Sequence, residues 1–254
     1  MKLSVVIITR NEAAVIARCL ESVAWADETV VLDGSTDGTA EIARKCRARV
    51  EVSGDWPGFG PQKNRALALA GGDWILSLDA DEWVTPELRA EIERALAAPG
   101  DKVAFRMPRL SSYCGRFMRH AGWWPDHVTR LFKRGQARFS EDRVHERLLV
   151  DGAVGTLKAP LMHEAIRSLE EALEKMNAYS SAGALAQLER GRRSSVAGAV
   201  WHGAWTFFRT YVLRAGFLDG REGFMLAVSN AEGAYYRYLK LTLLAEKQER
   251  GNRE

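Results

Sequence analysis

The stretch LSLDADEWV, Leu76–Val84, decides the fold. Its apolar run calls for burial. Its three acids, Asp79, Asp81 and Glu82, resist burial, because an isolated charge is costly to move out of water. Both demands are met if a buried strand ends at Ser77-Leu78 and the acids emerge at its tip, where a cation or a ligand neutralises them.

Working outward, the chain repeats this layout. Leu3 to Ile8 (LSVVII) is a β-branched run of strand length, and Asn11 is placed to cap a helix carrying Val15, Ile16, Cys19, Leu20 and Val23. Thr29 to Leu32 predicts a second strand, followed by DGSTDGT and a helix from Ala40 to Cys46. Ala48 to Val52 predicts a third strand. GDWPGFGP then reads as a loop, with Pro61 in the first turn of a helix through Ala70. Asp73 to Leu78 is the fourth strand, and Pro86 opens a helix to Ala97. Strand alternating with helix implies a mostly parallel sheet covered on both faces. In open α/β sheets ligands bind beyond the carboxyl ends of the strands. Thr9, Arg10, Asp33, Asp79 and Asp81 follow strands directly, so they are expected to converge on one edge.

Past Pro99, Val103 to Pro108 and Thr129 to Lys133 (TRLFK) read as strands. Between them SYCGRFMRHAGWWPDH is rich in aromatic and basic residues, the composition of a binding loop. Trp123 and Trp124 within it, beside Pro125-Asp126, are expected either in a core or stacked on a ligand. From Ser168 the pattern is helical. In a helix expected from Val196 to Gly216, Trp201, Trp205, Phe208, Val212 and Ala215 share one face, with Thr210 and Arg214 opposite. Arg190, Arg192 and Arg193 precede it. Aromatic and basic residues together suit an interfacial helix on anionic lipid. The other reading of this face is packing on the rest of the chain or on a partner.

Bulk composition narrows the class. The 254 residues are 46% apolar and 27% charged, as in a folded globular protein. A net charge of +3 makes no case for nucleic-acid binding. Cys19, Cys46 and Cys114 are odd in number and lack C-x-x-C spacing, so they read as free thiols in a reducing cytosol. The opening MKLSVVIITRNE has too short an apolar core for a signal peptide. No run of about 20 uncharged apolar residues occurs, so no membrane span is expected.

The acidic motifs admit several chemistries. A calcium loop starting at Asp79 would need Gly at its sixth position and Glu at its twelfth, where Val84 and Ala90 stand. Asp-x-Asp at a strand tip instead suits Mg2+ or Mn2+ held by one or two carboxylates plus substrate phosphates. DGSTDGT lacks the Gly-Lys-Ser/Thr of a P-loop, and GFGPQK follows a loop and carries a proline where a dinucleotide site needs glycine.

Taken together, VVIITRNEAAVIARCLESV, DGSTDGT and QKNRALALAGGDWILSLDADEW resemble the inverting family 2 glycosyltransferases of GT-A fold. DWPGFGPQKNRAL, WWPDHVTRLFKR, VHE and FLDGREGF resemble more narrowly the bacterial lipopolysaccharide core β-1,4-glucosyltransferases. The resemblance implies an α/β nucleotide-diphospho-sugar transferase fold with a helical C-terminal extension. Residues 1–165 would form the catalytic domain, with 1–100 binding the nucleotide sugar and 101–165 the acceptor, and residues 166–254 the helical region. It further implies transfer of a hexose, glucose from UDP-glucose, to a heptose of the inner core. The acceptor would be a lipid-linked saccharide at the inner face of the cytoplasmic membrane, with the enzyme cytoplasmic and peripheral. Other sugar transfer in capsule or exopolysaccharide assembly, and metal-dependent nucleotidyl transfer, are the alternatives.

Carried over by residue, the resemblance places Thr9, Arg10 and Asp33 beside the nucleotide, Lys63 and Arg65 at the base or diphosphate, and Asp79 at the ribose or sugar. It places the metal, Mg2+ or Mn2+, on Asp81, with His163 in APLMHEA completing the shell. The family often has an acid directly before the DGS segment, where this chain has Leu32. An inverting transfer also needs a carboxylate base within about 3 Å of the acceptor hydroxyl. Asp126, Glu141, Asp142 and Glu146 are the candidates, with Glu146 first and Asp142 second because both follow TRLFK.

Overall fold

The computed structural model describes residues 1–140 and 147–251. It divides into two compact units: Met1–Leu110 with Asp126–His163, and Ser111–Pro125 with the chain from Glu164 onward.

The first unit opens with β1 (Leu3–Thr9), α1 (Ile16–Ser22), β2 (Glu28–Asp33), α2 (Thr39–Lys45), β3 (Arg49–Val52), α3 (Phe59–Leu69), β4 (Trp74–Asp79), β5 (Glu82–Val84) and α4 (Pro86–Ala97). β6 (Lys102–Tyr113) runs on into the second unit, which holds β7 (Arg116–Phe117). β8 (Asp126–Lys133), β9 (Ala137–Phe139), β10 (Leu148–Val150), β11 (Ala153–Thr156) and the start of β12 (Leu161–Ile166) complete the first unit. The helices α5 (Leu169–Glu189), α6 (Val196–Phe208) and α7 (Gly220–Gly251) follow.

The α/β class and the helical C-terminal region expected from the sequence are both present. Strands β3, β2, β1 and β4 lie side by side and parallel. β8 then pairs antiparallel with β4, and β6 antiparallel with β8. Every residue of β1 is buried because both faces are covered. Leu3, Val5 and Ile7 pack with Leu88, Ile92 and Leu96 of α4, while Val6 and Ile8 pack on the opposite face with Ala66 of α3 and Phe132 of β8. A continuous β-branched run is what a doubly covered central strand requires. Helix α4 begins at Pro86 as read, with the Thr85 hydroxyl accepting the Leu88 N–H at 3.2 Å.

Three expectations are corrected. Asn11 does not cap α1, which starts at Ile16 without a side-chain cap. Asn11 stands at φ 62, and its amide oxygen accepts the Thr36 N–H at 2.9 Å. The aromatic segment before β8 is not one long open loop, since it holds the end of β6 and β7 and is partly packed. Tyr113, Met118 and Ala121 are buried with Ala172 of α5 and Leu226 of α7, and Trp123 packs edge-on to Tyr113. The helix from Val196 does not continue regularly to Gly216. It passes at Arg209–Leu213 into a π-helical turn, and Ala215 then takes a left-handed conformation at φ 52.

One close approach fixes the entry to β4. Gly72 donates its N–H to the Ser4 hydroxyl at 2.8 Å, and a Cβ there would fall 2.7 Å from the Ser4 backbone nitrogen. Gly54 has nothing within 4 Å of the same position. Gly72→Ala is therefore expected to lose about 1–3 kcal/mol in urea unfolding, and Gly54→Ala to stay within about 0.5 kcal/mol of the parent. Equal midpoints for the two variants would contradict this account of the β1–β4 approach.

Candidate active site

Register brings the strand-tip residues together. Thr9 stands opposite Asp33 across β1 and β2, and Ile8 stands opposite Asp79 across β1 and β4. The three strands therefore end at one level, and the side chains that follow them meet on one edge.

At the β1–β2 tip the polar residues of DGSTDGT bind the neighbouring loop. The buried Asp33 accepts the Thr9 and Ser35 hydroxyls on one oxygen, both at 2.6 Å. Ser35 in turn accepts the Asn11 N–H at 2.8 Å, and Asp37 accepts that of Ala13 at 3.2 Å. Gly34 lets the backbone pass close to Trp56, whose ring would lie 3.2 Å from an added Cβ. The exposed Arg10 sits over the same ring at 5.6 Å.

The DADE segment divides into three roles. Glu82 is fully buried. Its carboxylate accepts from Arg130 at 2.6 Å, from Arg109 at 3.3 Å and from the Asp79 N–H at 3.0 Å. Asp79, with a third of its side chain exposed, pairs with Lys63 of α3 at 2.9 Å and with Arg130. Burial raises the Asp79 pKa, but Arg130 and Lys63 outweigh it and hold the carboxyl well below the usual range. Burial likewise lowers the Arg130 pKa, and Asp79 and Glu82 together drive it above its ordinary value. Beneath the tip, burial and the nearby Glu82, Asp81 and Asp79 push the Cys19 thiol well up, so it is an inert thiol.

Asp81 differs from its neighbours. Among the described residues no lysine or arginine pairs with it. Its Oδ2 faces Nε2 of His163 at 3.4 Å. Strand pairing explains this meeting, because His163 of β12 stands opposite Glu82 of β5, one residue beyond Asp81. Two ligands of a cation at right angles, each about 2.1 Å from it, would lie about 3 Å apart. The pair thus suits a shared divalent cation. Among the described residues no cluster of three potential ligands forms. Mg2+ and Mn2+ sites commonly leave such positions to water and substrate phosphates.

The other expected residues are placed as follows. Lys63 joins Asp79, whereas Arg65, two residues along α3, turns to the exposed Asp55 at 2.6 Å and is not part of this cluster. Asp126 accepts two hydrogen bonds from Arg109, at 3.0 and 2.7 Å. Glu141, Asp142 and Glu146 lie outside the described residues. Reading the sequence missed Arg130, Arg109 and Glu82. The available signal was Arg130 itself: a charge in the middle of the strand TRLFK must find a partner if the strand is buried.

These contacts set an expected stability pattern. Glu82→Gln leaves one buried and one partly buried guanidinium short of charge and is expected to cost about 3–5 kcal/mol in urea unfolding. Asp126→Asn, at a 43% exposed carboxylate, is expected to cost less than about 1 kcal/mol. Equal effects would remove Glu82 from this role. Because the Asp79 pKa is depressed, its contribution is complete above about pH 4, the ordinary carboxylate value, and declines as pH falls below it.

Comparison with known proteins adds the family. Residues 4–159 match the model of glycosyl transferase family 2. An uncharacterized glycosyltransferase of Rickettsia felis is 32% identical over 96% of this chain and 90% of its own length. The lipopolysaccharide core biosynthesis glycosyltransferase LpsC of Rhizobium meliloti is 30% identical over 94% of this chain and 90% of its own. Among solved structures, S. aureus TarS 1-349 in complex with UDP-GlcNAc has 15% identity and a TM-score of 0.49, covering 99% of this chain and 92% of that one.

Proposed function

The chain belongs to glycosyl transferase family 2, and on that premise we propose that it moves a hexose, glucose from UDP-glucose, onto a heptose of the lipopolysaccharide inner core with inversion. The observation that carries this reading is Asp81: the one acid of DADE that meets a histidine and no lysine or arginine among the described residues. Similarity to LpsC supports the choice of acceptor.

The chain's own residues divide the work. Lys63, anchored on Asp79, places a positive charge where the donor diphosphate would lie. Thr9, Asp33 and Arg10 form the edge on which the nucleotide would rest, with Asp33 bracing the loop through its two hydroxyl partners. A divalent cation on Asp81 and His163, Mg2+ or Mn2+, would supply Lewis-acid stabilisation of the departing diphosphate. The acceptor hydroxyl loses its proton to a carboxylate base. We assign that base to Glu146, with Asp142 second. Asp126 is less suited, because one of its oxygens already accepts two hydrogen bonds from Arg109.

A lipid-linked acceptor requires a route to the membrane surface. No helix among the described residues is long and apolar enough to cross a membrane. In the second unit, however, Trp201 is 68% exposed and Trp205, Phe208, Val212 and Leu213 are exposed with it. The basic Arg190 and Arg192 nearby in sequence are exposed as well. A contiguous apolar face beside arginines supports peripheral attachment to anionic lipid at the inner face of the cytoplasmic membrane.

A donor screen on a deacylated core oligosaccharide, with linkage analysis of the product, tests the reaction. UDP release from UDP-glucose is expected. Pyrophosphate release would mean nucleotidyl transfer, and a different productive donor or acceptor would mean another assembly pathway. Asp81→Asn is expected to lower kcat/KM at least about a hundredfold. Undiminished turnover of that variant in EDTA would remove the metal from the mechanism. Replacing Trp201 and Trp205 with Ala is expected to weaken sedimentation with anionic vesicles and to spare transfer to the soluble acceptor. Unchanged sedimentation would exclude this face as the membrane contact.

A further inference from the structure

The second unit encloses a cavity of about 500 Å3 whose lining includes Lys175, Arg209, Arg214 and Arg237. Among the described residues no carboxylate lines it. Lys175 is balanced by Glu171 at 2.8 Å. Arg209, Arg214 and Arg237 have no ion pair or side-chain hydrogen bond among the described residues. The Nε of Arg237 is also buried without a hydrogen-bond partner among them. Grouping three guanidiniums around one space costs repulsion, and leaving a buried N–H unbonded costs desolvation. An anion in the cavity would remove both costs.

The chemistry of the wall narrows the class of anion. A guanidinium presents a planar fork of donors that fits phosphate oxygens in pairs. Neutral donors join them, since Asn230 and the hydroxyl of Thr206 also line the space. Arg209 opens the π-helical turn, a local widening often found at functional sites. Arg209 directly follows the exposed Phe208, and Arg214 the exposed Leu213. Each of these two arginines is thus next to an exposed apolar side chain.

We propose that this cavity is a phosphate-binding site, separate from the strand-tip cluster and independent of the transfer reaction assigned to it. The phosphate could belong to a membrane lipid headgroup or to a soluble phosphoester, and the experiment separates these sources. The full chain is labelled with 15N-arginine, and the Arg Nε–H resonances are followed by NMR. Inorganic phosphate and dihexanoyl phosphatidic acid below its micellar concentration serve as the two probes. The Arg237 resonance, assigned by its loss in Arg237→Lys, is expected to shift saturably. A response to both probes identifies a general phosphoester site, and a response to the amphiphile alone identifies a headgroup site. Arg209→Gln with Arg214→Gln, both exposed positions, is expected to weaken binding at least tenfold in calorimetry while keeping the parent's circular dichroism. The proposal is overturned if neither probe moves the resonance, or if the double variant binds as tightly as the parent.

Discussion

Arg130 is a guanidinium in a buried strand, and the carboxylates of Asp79 and Glu82 make that position tolerable. Much of the strand-tip arrangement follows from this. The bond to Asp79 ties β8 to the end of β4, and the bond to Glu82 ties it to the start of β5. Glu82 also takes Arg109 of β6, and Asp79 takes Lys63 of α3. With Asp126 pairing Arg109, four strands and a helix thus converge on a knot of three cations and three carboxylates. Buried ion pairs add little net stability compared with apolar packing, but breaking one is expensive. The knot therefore acts to fix which elements meet, and it sets the place of the remaining acid.

The parts of this architecture that were legible in the sequence are those with local causes. β1, β2 and β4 show continuous apolar runs because both faces of the sheet are covered. Helix α4 shows its proline and its capping threonine side by side. The convergence of Thr9, Asp33 and Asp79 followed from strand order alone. Arg130 was not legible as a partner of Asp79, because 51 residues separate them and only the pairing of β8 with β4 closes that gap. The packing within SYCGRFMRHAGWWPDH was not legible for a related reason. Aromatic and basic residues have the same composition in a binding loop and in a core, and here Asp219 decides. It accepts the backbone N–H groups of Arg119 and His120 and bonds the His120 ring, about a hundred residues away.

The same contact explains why α6 ends as it does. With Asp219 holding Arg119 and His120, Ala121 donates its N–H to the Arg214 carbonyl at 2.8 Å. That bond fixes the chain just after the π-helical turn. Thr210 is held inside while Arg209, Val212 and Leu213 face out. A regular helix would have carried one uniform face through this region. The widened turn instead buries Thr210 among exposed neighbours, which a regular 3.6-residue periodicity read from Val196 to Gly216 cannot express.

Acids that look alike in sequence are told apart by how many of their lone pairs the chain itself satisfies. Asp219 meets three donor groups, and Glu82 also meets three. Asp33 accepts two hydroxyls, and Asp79 pairs with two cations. Each of these carboxylates is occupied by the structure it holds. Among the described residues Asp81 meets a histidine nitrogen, at 3.4 Å, and no lysine or arginine, and 30% of its side chain is exposed. The fold therefore spends the outer acids of DADE on its own assembly, and among the described residues the middle one takes no part in that knot.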